Sequence, residues 1–285
     1  MKILIAKDAG YCFGVRDAVD MAYDVSKEEG AVYMLGDIVH NEKVVSDLNE
    51  SGANVVKSLD SVPKGSSVLF RAHGTVDKLW NEAKEKKINI VDATCPLVHE
   101  IHKEVKKISS DGRQIFVIGD HGHDEVVAIA DQVKGSIVIS NVEEAKKLKK
   151  YKKAGVVSQS TQTIENVQEI INILMTKVFD LHFVNTICYP TKRNQEQIKE
   201  LARISDVMII IGSFTSANSK RLTMLSKQIN KKTYQVTESK DIQDGWFDGK
   251  SIVGISAGAS TPDYLIDDVK TKILKIGDKY EKKHL

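Results

Sequence analysis

The sequence predicts an α/β protein made of three small domains, each with a mainly parallel sheet. Three observations carry that expectation. Short continuous runs rich in Val and Ile recur along the 285 residues, each leading into a polar turn that contains Gly or Ser. Such runs suit strands buried on both faces, as in parallel sheets. Stretches of helical periodicity lie between them, and strand–helix alternation of this kind builds βαβ units. Finally, the length is beyond what one small core organises, and three cysteines, Cys12, Cys95 and Cys188, mark the chain into near-thirds.

The elements follow in order. MKILIAKDAG reads as an opening strand and turn, not as a basic-then-apolar export signal. An amphipathic stretch over 14–28 predicts the first helix. The runs SVLFRAHG, INIVDATCP, QIFVIGDHGHDE, AGVVSQST, LHFVNTIC, DVMIIIGSFTSAN and SIVGISAGAST predict strands with the turns that leave them. Further helices are expected over 77–87, 97–110, 163–178, 192–204, 219–230 and 262–279. Pro96 and Pro190 lie just after Cys95 and Cys188, where a proline stops a central strand, so each of these cysteines is expected at a strand end. Cutting near the second and third cysteines gives domains 1–95, 96–187 and 188–285, the last including a C-terminal tail, each long enough for its own core.

Composition excludes several classes. The chain is 41% hydrophobic and 28% charged, as in ordinary globular proteins. No run approaches the roughly 18 apolar residues of a bilayer span. A net charge of +2 gives no electrostatic footprint for nucleic acid. An odd cysteine count would strand one thiol in any closed disulfide framework, so a reducing, cytoplasmic setting is expected. No CxxC occurs, which removes zinc ribbons and thioredoxin-type pairs. No GxGxxG occurs either, and GWFDGKS at 245–251 is one residue short of the phosphate-loop spacing and leads toward a strand. HEIH at 99–102 lacks the HExxH spacing, and HDE at 123–125 has no PCxxC half to complete a deaminase site. The lysine runs at 146–153 and 281–283 read as solvated faces.

Chemistry-bearing residues collect where strands give way to helices: His40, His73, Cys95, His123, Glu125, Ser160, Thr161, Cys188, Thr191, Ser216, Asn218, Ser256 and Ser260. In open α/β sheets the ligand crevice lies beyond the carboxyl ends of the strands. Taken singly, each cysteine reads equally well as a small buried residue. Their shared strand-to-helix context, in GYCFGVRDAV, DATCPLV and NTICYPTKR, favours an iron–sulfur cluster or a soft metal. Three protein ligands on a four-iron cluster leave one iron open. His99, His102, His121, His182 and His284 read as solvated or locally satisfied. His40, His73 and His123 stand at strand ends, where imidazoles can bind an anion. Glu125 reads either as a first-turn carboxylate on a helix dipole or as a proton relay. The segment 213–218 is an anion nest or a helix cap. Ser260 or Thr261 caps a helix from Pro262 or reaches a ligand.

Together the blocks GYCFGV, HN at 40–41, RAHG, DATCP, GHDEV, SQST, NTIC, SAN with SKRL, and SAGAST resemble the 4-hydroxy-3-methylbut-2-enyl diphosphate reductases, the LytB family, in order from residue 10 to residue 263. That resemblance implies a trefoil of three α/β domains around one [4Fe-4S] cluster per chain, held by Cys12, Cys95 and Cys188. It implies a small allylic diphosphate substrate bound by His40, His73, His123, Thr161, Ser160, Ser216, Ala217, Asn218 and Ser260, with Glu125 as proton source. The implied reaction is the two-electron reductive dehydroxylation that yields isopentenyl and dimethylallyl diphosphate, the last step of the non-mevalonate isoprenoid route. The electrons would come from ferredoxin or flavodoxin, with no nucleic-acid or membrane partner. Ala217 stands where a second serine is usual, Pro190 where alanine is frequent, and Ser160 where many relatives have threonine. The alternatives are another three-cysteine enzyme of quinolinate synthase type, or a non-catalytic iron–sulfur sensor.

Overall fold

A computed structural model describes residues 1–29, 32–247 and 252–283. The end of GWFDGKS, 248–251, and His284 lie outside the described residues, as do the side chains of the 281–283 run. The strands are β1 (Lys2–Ile5), β2 (Val32–Leu35), β3 (Ala53–Val56), β4 (Ser67–Phe70), β5 (Asn89–Asp92), β6 (Gln114–Ile118), β7 (Ile137–Ile139), β8 (Tyr151–Ser158), β9 (Val178–Phe183), β10 (Val207–Ile211), β11 (Thr233–Val236) and β12 (Ile252–Ala257). The helices are α1 (Phe13–Glu29), α2 (Glu42–Glu50), α3 (Asp77–Glu85), α4 (Pro96–Ser110), α5 (Asp124–Asp131), α6 (Val142–Lys147), α7 (Ile164–Lys177), α8 (Tyr189–Ile204), α9 (Ala217–Ile229) and α10 (Asp263–Lys283).

Among the described residues these strands form three four-stranded sheets, ordered β3-β2-β4-β5, β7-β6-β8-β9 and β1-β12-β10-β11. Every pairing is parallel. The α/β expectation therefore holds, and the burial explains the sequence pattern. In β10, Val207, Ile209 and Ile211 pack into one apolar cluster with α10 residues Leu265, Val269 and Ile273, while Met208 and Ile210 pack into another with Ile198, Leu222 and Leu225 of α8 and α9. Both faces are covered, so the strand reads as an unbroken apolar run. In the same way Phe116 and Ile118 of β6 face one core, and Ile115 and Val117 the other.

The domain division is different from the one expected. The chain separates into two compact units, one of Met1–Phe13, His40–Val44 and Tyr189–Leu285, the other of Gly14–Val39 and Val45–Cys188. The boundary near residue 188 matches the cut at the third cysteine. The first domain, 1–95, does not stay whole, because β1 joins the C-terminal sheet, where Lys2 through Ile5 pair with Ile252 through Ile255. That strand carries Cys12 into the unit that holds Ser216, Asn218 and Ser260, and His40 goes with it. The β7-β6-β8-β9 sheet lies wholly within 96–187, as expected, and shares the second unit with the β3-β2-β4-β5 sheet. Cys95 and Cys188 fall in the second unit and Cys12 in the first. No local pattern could have signalled this, since a four-residue strand looks the same whichever sheet it joins.

The helix limits were close, with one physical lesson. Pro96 and Pro190 are the first and second residues of α4 and α8. A proline in the first turn lacks only an N–H that the helix leaves unpaired. The same residues that stop a strand thus start a helix.

Candidate functional site

All three cysteines occupy the strand-to-helix positions expected of them, Cys12 before α1, Cys95 before α4 and Cys188 before α8, and all three are half-buried. In the second unit the chain beyond β4 and β5 keeps pairing. Ala93 N–H donates to the Phe70 carbonyl at 3.0 Å, and Cys95 N–H to the Ala72 carbonyl at 3.0 Å. This fixes Cys95 against the RAHG turn that carries His73. That turn closes through Gly74 N–H to the Arg71 carbonyl at 3.1 Å, with Gly74 at φ +86°, a conformation suited to glycine.

His123 caps α5, and its Nδ1 accepts the Glu125 N–H at 3.2 Å. A ring whose Nδ1 accepts carries its proton on Nε2, so Nε2–H is a donor. The His73 and His123 rings meet edge to face, 5.5 Å between centroids. Glu125 is 2% exposed, and both its oxygens are held by one residue: Ser160 N–H donates to Oε1 at 2.6 Å and Ser160 Oγ to Oε2 at 2.9 Å. The carbonyl of that same Ser160 accepts the Cys188 N–H at 2.9 Å. Thr161 follows, half-buried. A buried carboxyl, a hydroxyl and a cysteine are thereby locked into one short chain of hydrogen bonds.

Supporting residues lie behind this chain that motif reading did not single out. Thr186 Oγ1 accepts the Ser158 N–H at 2.7 Å and donates to the Ser158 carbonyl at 2.6 Å, tying the turn before Cys188 to the end of β8. Gln159, fully buried, accepts the Asp120 N–H at 3.1 Å and so joins the turns after β6 and β8. Both sit inside the quoted blocks SQST and NTIC, but nothing in a single sequence separates a supporting hydroxyl from a contacting one.

In the first unit, Cys12 N–H donates to the Ala259 carbonyl at 3.3 Å, placing it beside the SAGAST turn. Ser260 Oγ donates to the His40 carbonyl at 3.1 Å, and Asn41 Nδ2 to the Ser260 carbonyl at 2.8 Å. Here the Ser260 hydroxyl positions His40. Ser216 caps α9, its side chain accepting Ser219 N–H at 3.3 Å. Both readings of 213–218 keep support, since Asn218, 6% exposed, has an Nδ2 with no hydrogen-bond partner. A buried donor left unpaired costs about 1–3 kcal/mol, and the N-terminus of a helix favours an anionic partner. Ser256 lies within β12, not in a turn, and its Oγ is 3.4 Å from Asn194 Oδ1. Thr191 is buried in the first turn of α8.

Of the histidines set aside, His99 Nε2 is 2.9 Å from Asp92 Oδ2 and His121 Nε2 is 2.8 Å from Glu144 Oε2. His102 departs from expectation. It is wedged against Gly74, its Nε2 makes no hydrogen bond, and burial, aided by His99 and Lys106, pushes its pKa down to about 4.

The LytB protein family model matches residues 3–274. The chain belongs to the LytB family. The 4-hydroxy-3-methylbut-2-enyl diphosphate reductase of Geobacter metallireducens is 39% identical over 277 residues, covering 97% of this chain and 98% of that one. The same-named protein of Geobacter sulfurreducens is 38% identical over 280 residues, covering 98% and 99%. A solved (E)-4-hydroxy-3-methyl-but-2-enyl diphosphate reductase, described as the terminal enzyme of the non-mevalonate pathway, matches with a TM-score of 0.71 at 36% identity over 96% of this chain and 99% of its own. E-1-hydroxy-2-methyl-but-2-enyl-4-diphosphate reductase from Plasmodium falciparum matches with a TM-score of 0.90 at 26% identity, over 95% and 86%. This LytB chain is thus an enzyme, a reductase by kinship, and the quinolinate-synthase and sensor alternatives give way. No helix among its described residues is long and apolar enough to cross a membrane.

One structural detail bears on the cysteines as cluster ligands. Gly14, two residues on from Cys12, has its bare Cα against the Cys95 side chain, so close that an added Cβ would overlap Sγ and lie 3.2 Å from the Cys95 Cβ. Each thiol is half-buried ahead of a helix, and thiols are the donor type that soft iron–sulfur groups take.

Proposed function

We propose that the chain reduces (E)-4-hydroxy-3-methylbut-2-enyl diphosphate to isopentenyl and dimethylallyl diphosphate, with Cys12, Cys95 and Cys188 holding a [4Fe-4S] cluster. The observation that carries the reading is Ser160, which fixes both oxygens of the buried Glu125 and accepts the Cys188 N–H. When bound, such a cluster supplies one-electron redox steps and Lewis acidity. Overall, the allylic C–O bond breaks, two electrons and two protons enter, a C–H bond forms and water leaves. The electrons come from a separate carrier, ferredoxin or flavodoxin, since the chain has no nicotinamide fingerprint.

In each unit, taken by itself, there are donors suited to an anionic ligand. In the second, His123 presents Nε2–H and His73 stands edge-on beside it. In the first, the α9 N-terminus offers Ser216, the Ala217 backbone and the unpartnered Asn218 amide, and His40 is held by Ser260. Holding the diphosphate fixes the hydroxyl end, and fixed geometry lowers the barrier entropically. Glu125, which accepts from Ser160 in this geometry, is the group that would take up a proton and deliver it to the leaving oxygen. Ser160 Oγ, 2.9 Å away, is its first relay, and Thr161 stands next in the chain.

Anaerobic purification with iron and sulfide analysis, followed by turnover of the allylic diphosphate with reduced ferredoxin, tests this. Stoichiometric iron and sulfide with formation of both dehydroxylated diphosphates is the expected result. A chain that takes up no iron or sulfide on reconstitution refutes the proposal.

A further inference from the structure

We infer that the ion pair between Arg71 and Asp124 balances charge for, and positions, the anion-binding histidines His73 and His123; the inference rests on the diphosphate reading above. Arg71 Nη1 lies 2.5 Å from Asp124 Oδ2, and the two side chains are 23% and 30% exposed. Arg71 is two residues before His73, at the start of the turn after β4. Asp124 directly follows His123 and is the first residue of α5. The pair therefore clasps together the two turns whose imidazoles meet at 5.5 Å. A third turn makes room for it. Gly36, at φ +75°, follows β2, and a Cβ there would come within 3.0 Å of Arg71 Nη1.

Asp124 creates an electrostatic problem that the guanidinium solves. A carboxylate suits the first turn of a helix, where it complements the dipole. The same carboxylate beside His123 repels any polyanion that the imidazoles bind. Arg71 cancels that charge at hydrogen-bond distance and fixes where the two turns sit. Partial burial keeps solvent from screening the pair as fully as it screens surface ions.

Charge balance predicts opposite signs for the two single substitutions, which a merely structural strap would not give. Arg71→Met leaves the carboxylate without its guanidinium and should weaken inorganic diphosphate binding and raise KM by about five- to tenfold, an effect that shrinks as salt is added. Asp124→Asn leaves the cation and should keep or tighten diphosphate binding while lowering kcat about two- to fivefold through loosened geometry. The neutral pair, Arg71→Met with Asp124→Asn, should return the diphosphate Kd to within about twofold of the parent.

Titration calorimetry of inorganic diphosphate against the anaerobically purified enzyme reads binding without turnover, and steady-state kinetics supplies the KM and kcat split. Equal weakening by both single variants, with no recovery in the neutral pair, overturns the inference and leaves the diphosphate reading standing. A parent enzyme whose diphosphate affinity is unmoved by His123→Asn overturns that reading, and the inference with it. Should Arg71→Met not fold, Arg71→Lys keeps the charge without the fork and must bind diphosphate within about threefold of the parent for charge balance to hold.

Discussion

Replacing Gly14 by alanine sets two physical effects against each other, and the structure decides the sign. Gly14 is the second residue of α1, and alanine in place of a helical glycine gains about 1 kcal/mol of propensity. The added methyl, however, would overlap Cys95 Sγ and come within 3.2 Å of its Cβ, where carbon atoms rest at about 3.5–4.0 Å. Relief requires Cys95 to retreat by about 1 Å. It is anchored by its N–H on Ala72 and by Pro96 behind it, so the strain is not absorbed cheaply. Overpacking of this kind costs about 1–3 kcal/mol, which leaves a net loss of about 0–2 kcal/mol in the metal-free chain. At about 2–4 °C per kcal/mol the melting temperature falls by a few degrees. The larger consequence is for the cluster, because the displaced atom is a proposed ligand. Iron and acid-labile sulfide per chain, measured after anaerobic reconstitution, should fall well below the parent's. Adding Cys95→Ala removes the sulfur and should recover most of the metal-free stability, a coupling that a double-mutant cycle reads directly. If Gly14→Ala is more stable than the parent and loads as much iron, the cradle has no steric role and the reasoning fails.

Glu125→Gln should retain iron and sulfide while kcat drops about 10²–10⁴-fold, the usual scale for a lost general acid, and unchanged turnover would exclude the proton role. Thr186→Val removes all three hydrogen bonds to Ser158 and strands a buried N–H, so chemical denaturation should show a loss of about 1–3 kcal/mol; a silent change would mean the turn before Cys188 is held elsewhere. His102 has a folded pKa pushed down to about 4 against about 6.5 unfolded, so the unfolded chain binds the extra proton between those values and stability falls as pH drops through that window. Full linkage is about 3 kcal/mol, screened by partial exposure to about 1–2 kcal/mol. His102→Leu should flatten the stability curve between pH 6.5 and 4, and an unchanged slope would assign the acid sensitivity to other groups.

What the sequence revealed and what it concealed follow from the range of the interactions involved. The strands were legible because burial on both faces removes polar alternation: Val207 to Ile211 has no polar position for a reader to misplace. The cysteines, His123 and Glu125 were legible for a related reason. Strand-end chemistry is written in contiguous blocks such as DATCP and GHDEV, where a proline or a cap fixes the junction. Partnerships across long separations were not legible. β1 lies some 250 residues from β12, and its four residues carry no mark of the sheet they complete, so the domain holding Cys12 was misassigned. The hydrogen bond from the Ser260 hydroxyl to the His40 carbonyl, 220 positions away, leaves no local mark either. Arg71 and Asp124 each look like an ordinary surface charge in their own block, and only the fold shows that one neutralises the other. A motif records which chemistry must be present; which atoms orient it is settled by residues whose sequence neighbours say nothing about them. The supporting set of Gln159, Thr186, Gly14, Arg71 and Asp124 is therefore where substitutions should alter how this enzyme works while leaving every recognisable motif in place.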